Sequence, residues 1–395
     1  MQDEKITETL SLIDEETSLP EGWRLVSLGD VCTLQRGYDL PRQNWIDGSY
    51  PIVGSNGIIG FHNEFMAKSP GVVTGRSGTI GKVHYIDSDF FPHNTSLYVK
   101  DFKGNNPKFI KYLLESIDLK SLGEQTTAVP SLDRKNAHKV KVLFPTTIEE
   151  QRRIASVLDE QMKAVEQARL AIEEQRTAAN LLPNAFLRVV FESEEAQNWQ
   201  KRKLGEIAKT CSGSTPSRSN PDYYKGSISW VKTGELKDGL ILETEEHISE
   251  LALKESSVRL LPPETLLVAM YGQGKTRGRT GLLKLPATTN QACFAILPNE
   301  TFDSYFLQYW FRHNYQRLRQ ETEGRGGNQP NLNGEVLNNQ IVSLPIEVNE
   351  QSKFVKKINE QMQAAETLKK SLTEKLEAVK KLPAALLRKA FAGEI

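Results

Sequence analysis

The stretch Pro145-Thr-Thr-Ile-Glu-Glu-Gln-Arg-Arg-Ile-Ala155 returns 200 residues later as Pro345-Ile-Glu-Val-Asn-Glu-Gln-Ser-Lys-Phe-Val355. The offset then holds without a gap: Glu160-Gln161-Met162 falls on Glu360-Gln361-Met362, Leu182-Pro183 on Leu382-Pro383, and Phe191 on Phe391. About 17 identities in about 50 positions at one offset are too many for two unrelated amphipathic helices. Upstream, Trp23-Arg-Leu-Val-Ser-Leu28-Gly29-Asp30-Val31 matches Trp199-Gln-Lys-Arg-Lys-Leu204-Gly205-Glu206-Ile207. The chain is thus a tandem of two units, each a globular part followed by a helix. Such a duplication can carry an internal pseudo-two-fold, and many two-fold targets are stretches of duplex DNA.

The repeat divides the chain into four blocks: 1–144, with 1–20 an acidic polar tail; the helix 145–195; a second globular block 196–344; and the helix 345–395. Thr146 and Thr147 precede Glu149 and Glu150 by three residues each, which is capping-box spacing; Asn349 is the weaker equivalent. Heptad rows follow. Ile154, Gln161, Ala168, Gln175 and Leu182 form one, with Leu158, Val165, Ile172, Ala179 and Phe186 four residues on. In the second copy the rows are Phe354, Gln361, Leu368, Lys375, Leu382 and Ile358, Ala365, Leu372, Val379, Leu386. The apolar members Ile154, Leu158, Val165, Ile172, Phe354, Ile358, Leu368, Leu372 and Val379 are expected to carry helix pairing. Pro183 and Pro383 are expected to kink or restart each helix. A helix from Glu149 to Leu182 would be about 51 Å long, matching DNA sites one to two turns apart, on the order of 34–68 Å, if the copies pair antiparallel.

In the globular blocks, Gly71–Thr74, Ser96–Val99, Thr265–Val268 and Ala292–Ile296 read as buried strands, and Phe109–Leu114 and Tyr305–Leu318 as helices. The fold class is therefore α+β: two mixed, mostly sheet domains separated by two long helices that pair as an antiparallel coiled coil.

Composition excludes several classes. At 38% hydrophobic and 25% charged, with no long apolar run, the chain reads as soluble and cytoplasmic, without a membrane span. Cys32, Cys211 and Cys293 are scattered, with no CxxC, HExxH or Cys/His cluster, so neither zinc ligation nor a disulfide framework is supported. Lys plus Arg equals Asp plus Glu at 50 each, which counts against a protein gripping DNA by bulk charge alone. Local charge still stands out: Lys275, Arg277, Arg279 and Lys284 occur with no acid between Leu266 and Pro286.

Candidate contacts come from loops. Gly75-Arg-Ser-Gly-Thr-Ile-Gly-Lys82 and Tyr271-Gly-Gln-Gly-Lys-Thr-Arg-Gly-Arg-Thr-Gly281 mix glycine with basic and hydroxyl groups, which suits close approach to phosphate or guanine. They supply Arg76, Ser77, Lys82, Gln273, Lys275 and Arg277. Asn94 and Gln291, each just before a strand, have the amide that pairs with adenine. Arg325 and Asn328 lie in the polar loop Gly324–Pro330. Each also fits a solvated or self-capping turn. Gly274-Lys275-Thr276 fails the phosphate-loop pattern, which needs glycine where Ala269 stands. No (Asp/Asn)-Pro-Pro-(Tyr/Phe) tetrad, helicase set or paired carboxylate–lysine centre is evident, and the chain reads as non-catalytic.

Two variable domains, each followed by a long helix, resemble the specificity subunit of Type I restriction–modification systems. The likeness covers essentially the whole chain. It is most specific at Pro51-Ile-Val-Gly-Ser-Asn-Gly-Ile-Ile-Gly60, at the turn ending in Arg218 with Trp230-Val-Lys232-Thr-Gly-Glu235, and at Glu149–Ala155. The second copy departs from that last piece with Asn349-Glu-Gln-Ser-Lys-Phe-Val355. The resemblance adds Arg218 and Lys232 to the candidate DNA contacts. It implies an asymmetric, bipartite double-stranded DNA target with one half-site per domain, helices that set the gap, two methyltransferase subunits and two restriction/motor subunits. No cofactor is expected in this chain; S-adenosylmethionine, ATP and Mg belong to the partners. Two rival readings remain: a coiled-coil interaction scaffold with two protein-binding domains, and a nucleotide hydrolase using Lys275.

Overall fold

The computed structural model describes residues 19–124, 131–272, 274–321 and 332–395. The chain divides into two compact units, the first made of two segments and the second of one: Met1–Glu173 with Glu374–Ile395, and Glu174–Thr373.

In the first unit, Trp23–Ser27 pairs antiparallel with Lys141–Pro145, bringing both ends of the globular part to the foot of the helix. Between them lie two small sheets. One is antiparallel, in the order Thr33–Arg36, Ser96–Asp101, Gly71–Gly75, Val83–Ile86. The other has Tyr50–Gly54 at its centre, flanked by antiparallel Gly57–His62 and parallel Phe91–Pro92. Gly71–Gly75 is buried throughout, and its one polar side chain, Thr74, is satisfied by donating to Lys82 O at 2.9 Å. Helix Pro107–Ser116 packs on this sheet; Asn106 caps it by accepting from Phe109 N, and proline occupies its first turn.

The second unit repeats the plan. Gln200–Lys203 pairs with Ile341–Leu344. Strands Thr210–Ser212, Cys293–Ile296, Leu266–Ala269 and Thr280–Leu283 follow the order of the first unit's larger sheet. A fifth strand, Gly239–Ile241, is added parallel to the last. The small sheet is Glu246–Ile248, Ile228–Val231, Thr288–Thr289, again antiparallel on one side and parallel on the other. The helical stretch expected over Tyr305–Leu318 is broken at Asn314 into Ser304–His313 and Tyr315–Gln320.

Within each unit the helix ends are exchanged in the same way. In the first unit Ile154, Ala155 and Leu158, from the start of the first long helix (Ile148–Ala179), share a core with Leu387 and Ala390 from the end of the second (Val348–Phe391). In the second unit Val355 and Ile358, from the start of the second helix, share a core with Leu187 and Val190 of Leu182–Phe191. Phe391 lies 5.3 Å from Phe109 in one unit, and Phe191 lies 5.3 Å from Phe306 in the other. Start thus meets end in each unit separately, which is antiparallel order.

The repeated Glu-Gln is a fastener. Gln151 is buried; its Oε1 accepts from Asn106 N at 2.9 Å and its Nε2 donates to Asn105 Oδ1 at 2.9 Å. Gln351, fully buried, accepts from Asp303 N at 2.8 Å and donates to Pro345 O at 2.8 Å. Each glutamine therefore ties the first turn of a long helix to the cap of the helix beside it, satisfying backbone groups that would otherwise be orphaned.

Three expectations need correction. The buried face of the second helix runs through Gln351, Val355, Ile358, Met362, Ala365, Lys369, Leu372, Leu376 and Val379. One heptad row is as expected, while the other lies one residue further along. Leu368, placed on the pairing row, is 43% exposed, and Ala168, Gln175, Gln361 and Lys375 are exposed too. Ile154 and Phe354, which suggested the misplaced row, pack into the cores of their globular parts instead. Second, Asn349 lies inside the helix that begins at Val348, whereas Thr147 does cap the first copy by accepting from Glu150 N. Third, the prolines differ. Asn180 and Leu181 interrupt the first helix and Pro183 sits in the first turn of the next, while the second helix continues through Pro383. Lys380 and Ala384 stand where the first copy has Asn180 and Asn184, and both are better helix formers.

Candidate nucleic-acid interface

Each unit has one rim where the large and small sheets are latched together. In the first, Gly37 N donates to Ser96 O (3.1 Å), Tyr38 N to Pro92 O (2.8 Å) and His93 N to Val53 O (2.9 Å). In the second, Gly213 N donates to Cys293 O (3.1 Å), Ser214 N to Thr289 O (2.9 Å) and Asn290 N to Val231 O (3.0 Å). Glycine is required at both latches, because a Cβ on Gly37 would lie 2.2 Å from His93 O and one on Gly213 2.2 Å from Asn290 O. Extending the Trp23/Trp199 offset past Val31 brings Gly37 onto Gly213, a signal in the sequence that the motif reading missed.

The latch places Asn94 and Gln291 at matching points, one residue beyond His93 and Asn290. Asn94 Nδ2 donates to Asp39, and Thr215 Oγ1 donates to Gln291 Oε1. Asp39 and Thr215 each stand two residues after their latch glycine, and neither was singled out from sequence. Arg36 Nη2 donates to both Asp39 oxygens, at 3.1 and 3.3 Å. The Asn94 amide first, and the Arg36 guanidinium after it, hold the Asp39 carboxyl below the usual carboxylate range.

Arg76 and Ser77 join this rim. Their backbone N–H groups donate to Thr95 O, and Arg76 Nη1 donates to Asn94 O at 3.2 Å. Lys82 is exposed and donates to Asn56 Oδ1 at 2.7 Å, in the turn between the two hairpin strands of the small sheet. Beneath that turn, burial lowers the pKa of His84, whose ring lies 3.3 Å from where a Gly57 Cβ would stand. The hairpin beyond it exposes Ile58, Ile59 and Phe61. Arg76, Ser77, Lys82 and Asn94 thus come together, with Arg36, Asp39 and Asn56 as additional members.

The second rim is built differently. Arg218 stacks over Tyr224 (4.1 Å) and Trp230 (5.1 Å) and pairs with Glu246 at 2.7 Å. Lys232 reaches Glu245 and Glu246 at 3.0 Å each. Lys232, and secondarily Arg218, holds the Glu246 carboxyl below its ordinary range. Both cations expected from the resemblance are thus partly neutralised by carboxylates.

The basic run at 275–284 is also largely committed. Arg277 is a correction: it is only 5% exposed, with Nη2 3.5 Å from Arg319 O, while Arg319 donates back to Arg277 O and Gly274 O. Tyr315 Oη donates to Lys275 O at 2.7 Å, so the loop is braced on helix Tyr315–Gln320. Arg279 lies 3.6 Å from Asp238, and Lys284 binds Glu264 and Tyr305. Lys275 itself is exposed. The loop links antiparallel strands rather than leading from a strand into a helix, so it lacks phosphate-loop geometry as well as sequence. Gln273, Arg325 and Asn328 lie outside the described residues.

Among the described residues no group of three or more His, Cys, Asp or Glu side chains could hold a metal ion. Burial pushes the Cys32 thiol up to about 12 and raises that of Cys293 as well, leaving both as inert buried groups. Among the described residues no helix is long and apolar enough to cross a membrane.

Two latched, sheet-rich heads with exchanged helical ends define a tandem protein in which one frame is used twice. The family described as Type I restriction modification DNA specificity domain matches residues 20–175 and again 196–378. The chain belongs to that family, as a specificity subunit: a non-catalytic component whose role is sequence-specific DNA recognition in a Type I restriction–modification system. It is 22% identical over 336 residues to the Type I restriction enzyme EcoR124I/EcoR124II specificity subunit of Escherichia coli, covering 82% of this chain and 80% of that one. The same fold occurs in a chain solved in work on complex assembly and conformational transition of the type I R-M system (TM-score 0.70, 19% identity, 96% of this chain and 100% of that one). It occurs again in the HsdS subunit from Thermoanaerobacter tengcongensis (TM-score 0.67, 19% identity, 96% and 99%).

Proposed function

We propose that this subunit recognises an asymmetric bipartite DNA target, one half-site per head, and directs adenine methyltransferase and restriction subunits to it. Residues 1–144 and 196–344 are the reading heads, and 145–195 and 345–395 the spacers that fix the gap. Two methyltransferase and two restriction subunits, supplying S-adenosylmethionine, ATP and Mg chemistry, complete the complex in the cytoplasm, where the DNA is. The observation carrying this reading is the pair of matched rims bearing unlike side chains: one frame, used twice, with different polar groups at equivalent points. A neutral net charge fits, because partner subunits can supply much of the phosphate contact.

Mapping methylated adenines in DNA from cells expressing this chain with its methyltransferase partner tests the reading. A split motif, two short unlike elements at a fixed gap, is the expected result. A continuous motif, or none, would contradict it.

A further inference from the structure

We infer that Asp39 fixes the Asn94 amide so that its carbonyl oxygen faces a base edge, making this pair the specificity determinant for one base position of the first head's half-site. The inference rests on the reading of the two heads as DNA readers.

Amide orientation is normally ambiguous, because oxygen and nitrogen fit the same shape. Here the partner decides it. An ionised carboxylate can only accept hydrogen bonds, so the Asn94 NH2 must face Asp39. Arg36 supports that ionisation through two hydrogen bonds to Asp39. Arg76 holds the Asn94 backbone carbonyl, and the Gly37 latch holds the loop carrying Asp39. Side chain, backbone and partner loop are therefore all restrained, although Asp39 is exposed and Asn94 half-buried. A restrained polar group at an accessible rim is what discrimination between bases requires, since a freely rotating amide accepts either polarity.

The second head reverses the polarity on the same frame. Thr215 donates to Gln291 Oε1, which turns the Gln291 amino group away from its partner. The first head thus offers an acceptor, suited to the amino group of adenine or cytosine in the major groove. In the orientation it holds, Gln291 offers a donor, suited to guanine O6 and N7, adenine N7 or thymine O4. A hydroxyl can also accept, so Thr215 restrains its amide less than Asp39 does.

The test uses the full chain in its methyltransferase complex, with Asp39→Thr and Asn94→Ala, and measures competition binding over duplexes substituted at every position of the mapped motif. Wild type should discriminate about 10-fold or more at the position concerned. Both variants should reduce this to within about 3-fold there, leaving the other positions and the second half-site unchanged. Unchanged discrimination at every position would overturn the inference. So would a uniform loss across both half-sites, which would mark the pair as a fold or phosphate element. A wild-type complex with no split motif would overturn the underlying reading; a split motif untouched by either variant would overturn this inference alone.

Discussion

The two heads agree in their latches and differ at their tips. In the first, Tyr50–Gly54 turns directly into Gly57–His62 through Ser55 and Asn56, with Gly57 at φ +103°, leaving a short hairpin with exposed Ile58, Ile59 and Phe61. In the second, the chain leaves the equivalent strand at Val231, builds the extra strand Gly239–Ile241, and returns only at Glu246. The latch hydrogen bonds are backbone to backbone, and both glycines are required by contacts near 2.2 Å. Backbone geometry can thus hold the frame while the side chains it displays are free to differ. The proposed reading of two unlike half-sites by one chain rests on this separation of frame from display.

Several substitutions would break or sharpen that comparison. The largest effects are expected at the exchanged helix ends. Leu187→Ala and Leu387→Ala should each cost about 2–5 kcal/mol, because each leaves a cavity in a closed core. Leu187→Ala should loosen the second unit and Leu387→Ala the first, read by hydrogen exchange over each unit. Effects confined to the head that precedes each helix in sequence would deny the exchange.

Pro383→Ala should stabilise by up to about 3 kcal/mol by restoring an interior helix hydrogen bond, whereas Pro183→Ala should change stability by less than about 1 kcal/mol. Denaturant titration of both variants checks this, and equal effects would mean that the two prolines occupy similar environments after all.

Gln351→Ala should cost about 1–3 kcal/mol by orphaning the part-buried Asp303 N–H and the buried Pro345 carbonyl. Gln151→Ala should weaken the first unit in the same way, through Asn106 N. Thermal unfolding followed separately in each unit gives the comparison.

The smallest effect is one of pH. His138 Nε2 accepts from Leu34 N at 2.9 Å, and burial lowers its pKa from the usual 6.5. The unfolded chain therefore binds this proton at a higher pH than the folded one. His138's contribution is complete above about pH 6.5 and is lost as pH falls toward the folded value. Asn338, at the equivalent place, accepts from Thr210 and does not titrate. Asn in place of His138 should reduce the acid sensitivity of the first unit, as measured by stability between pH 7 and 5; an unchanged pH profile would remove His138 as a contributor.

Much of this was legible in the sequence because duplication leaves a constant offset. The offset aligned Gln151 with Gln351 and Leu187 with Leu387 as identical pairs, but only the contacts show them to be fasteners and exchanged ends. The buried helix face was misplaced by one residue along one row because Phe354 and Leu368 look like seam residues. One is drawn into a head and the other faces outward. Arg277 illustrates a second limit: a basic loop looks solvated until a helix from elsewhere in the chain is seen to brace it. Asp39 has nothing in its own neighbourhood to mark it, and Thr215 lies in the marked turn ending in Arg218 but was passed over for the cation; their importance comes from amides 55 and 76 residues away.

The most direct test is an exchange of residues 196–344 for the corresponding block of another specificity subunit, followed by methylated-adenine mapping. The account predicts a motif in which one half-site changes completely while the other half-site stays as in the parent. A motif changed in both halves, or in neither, would contradict it.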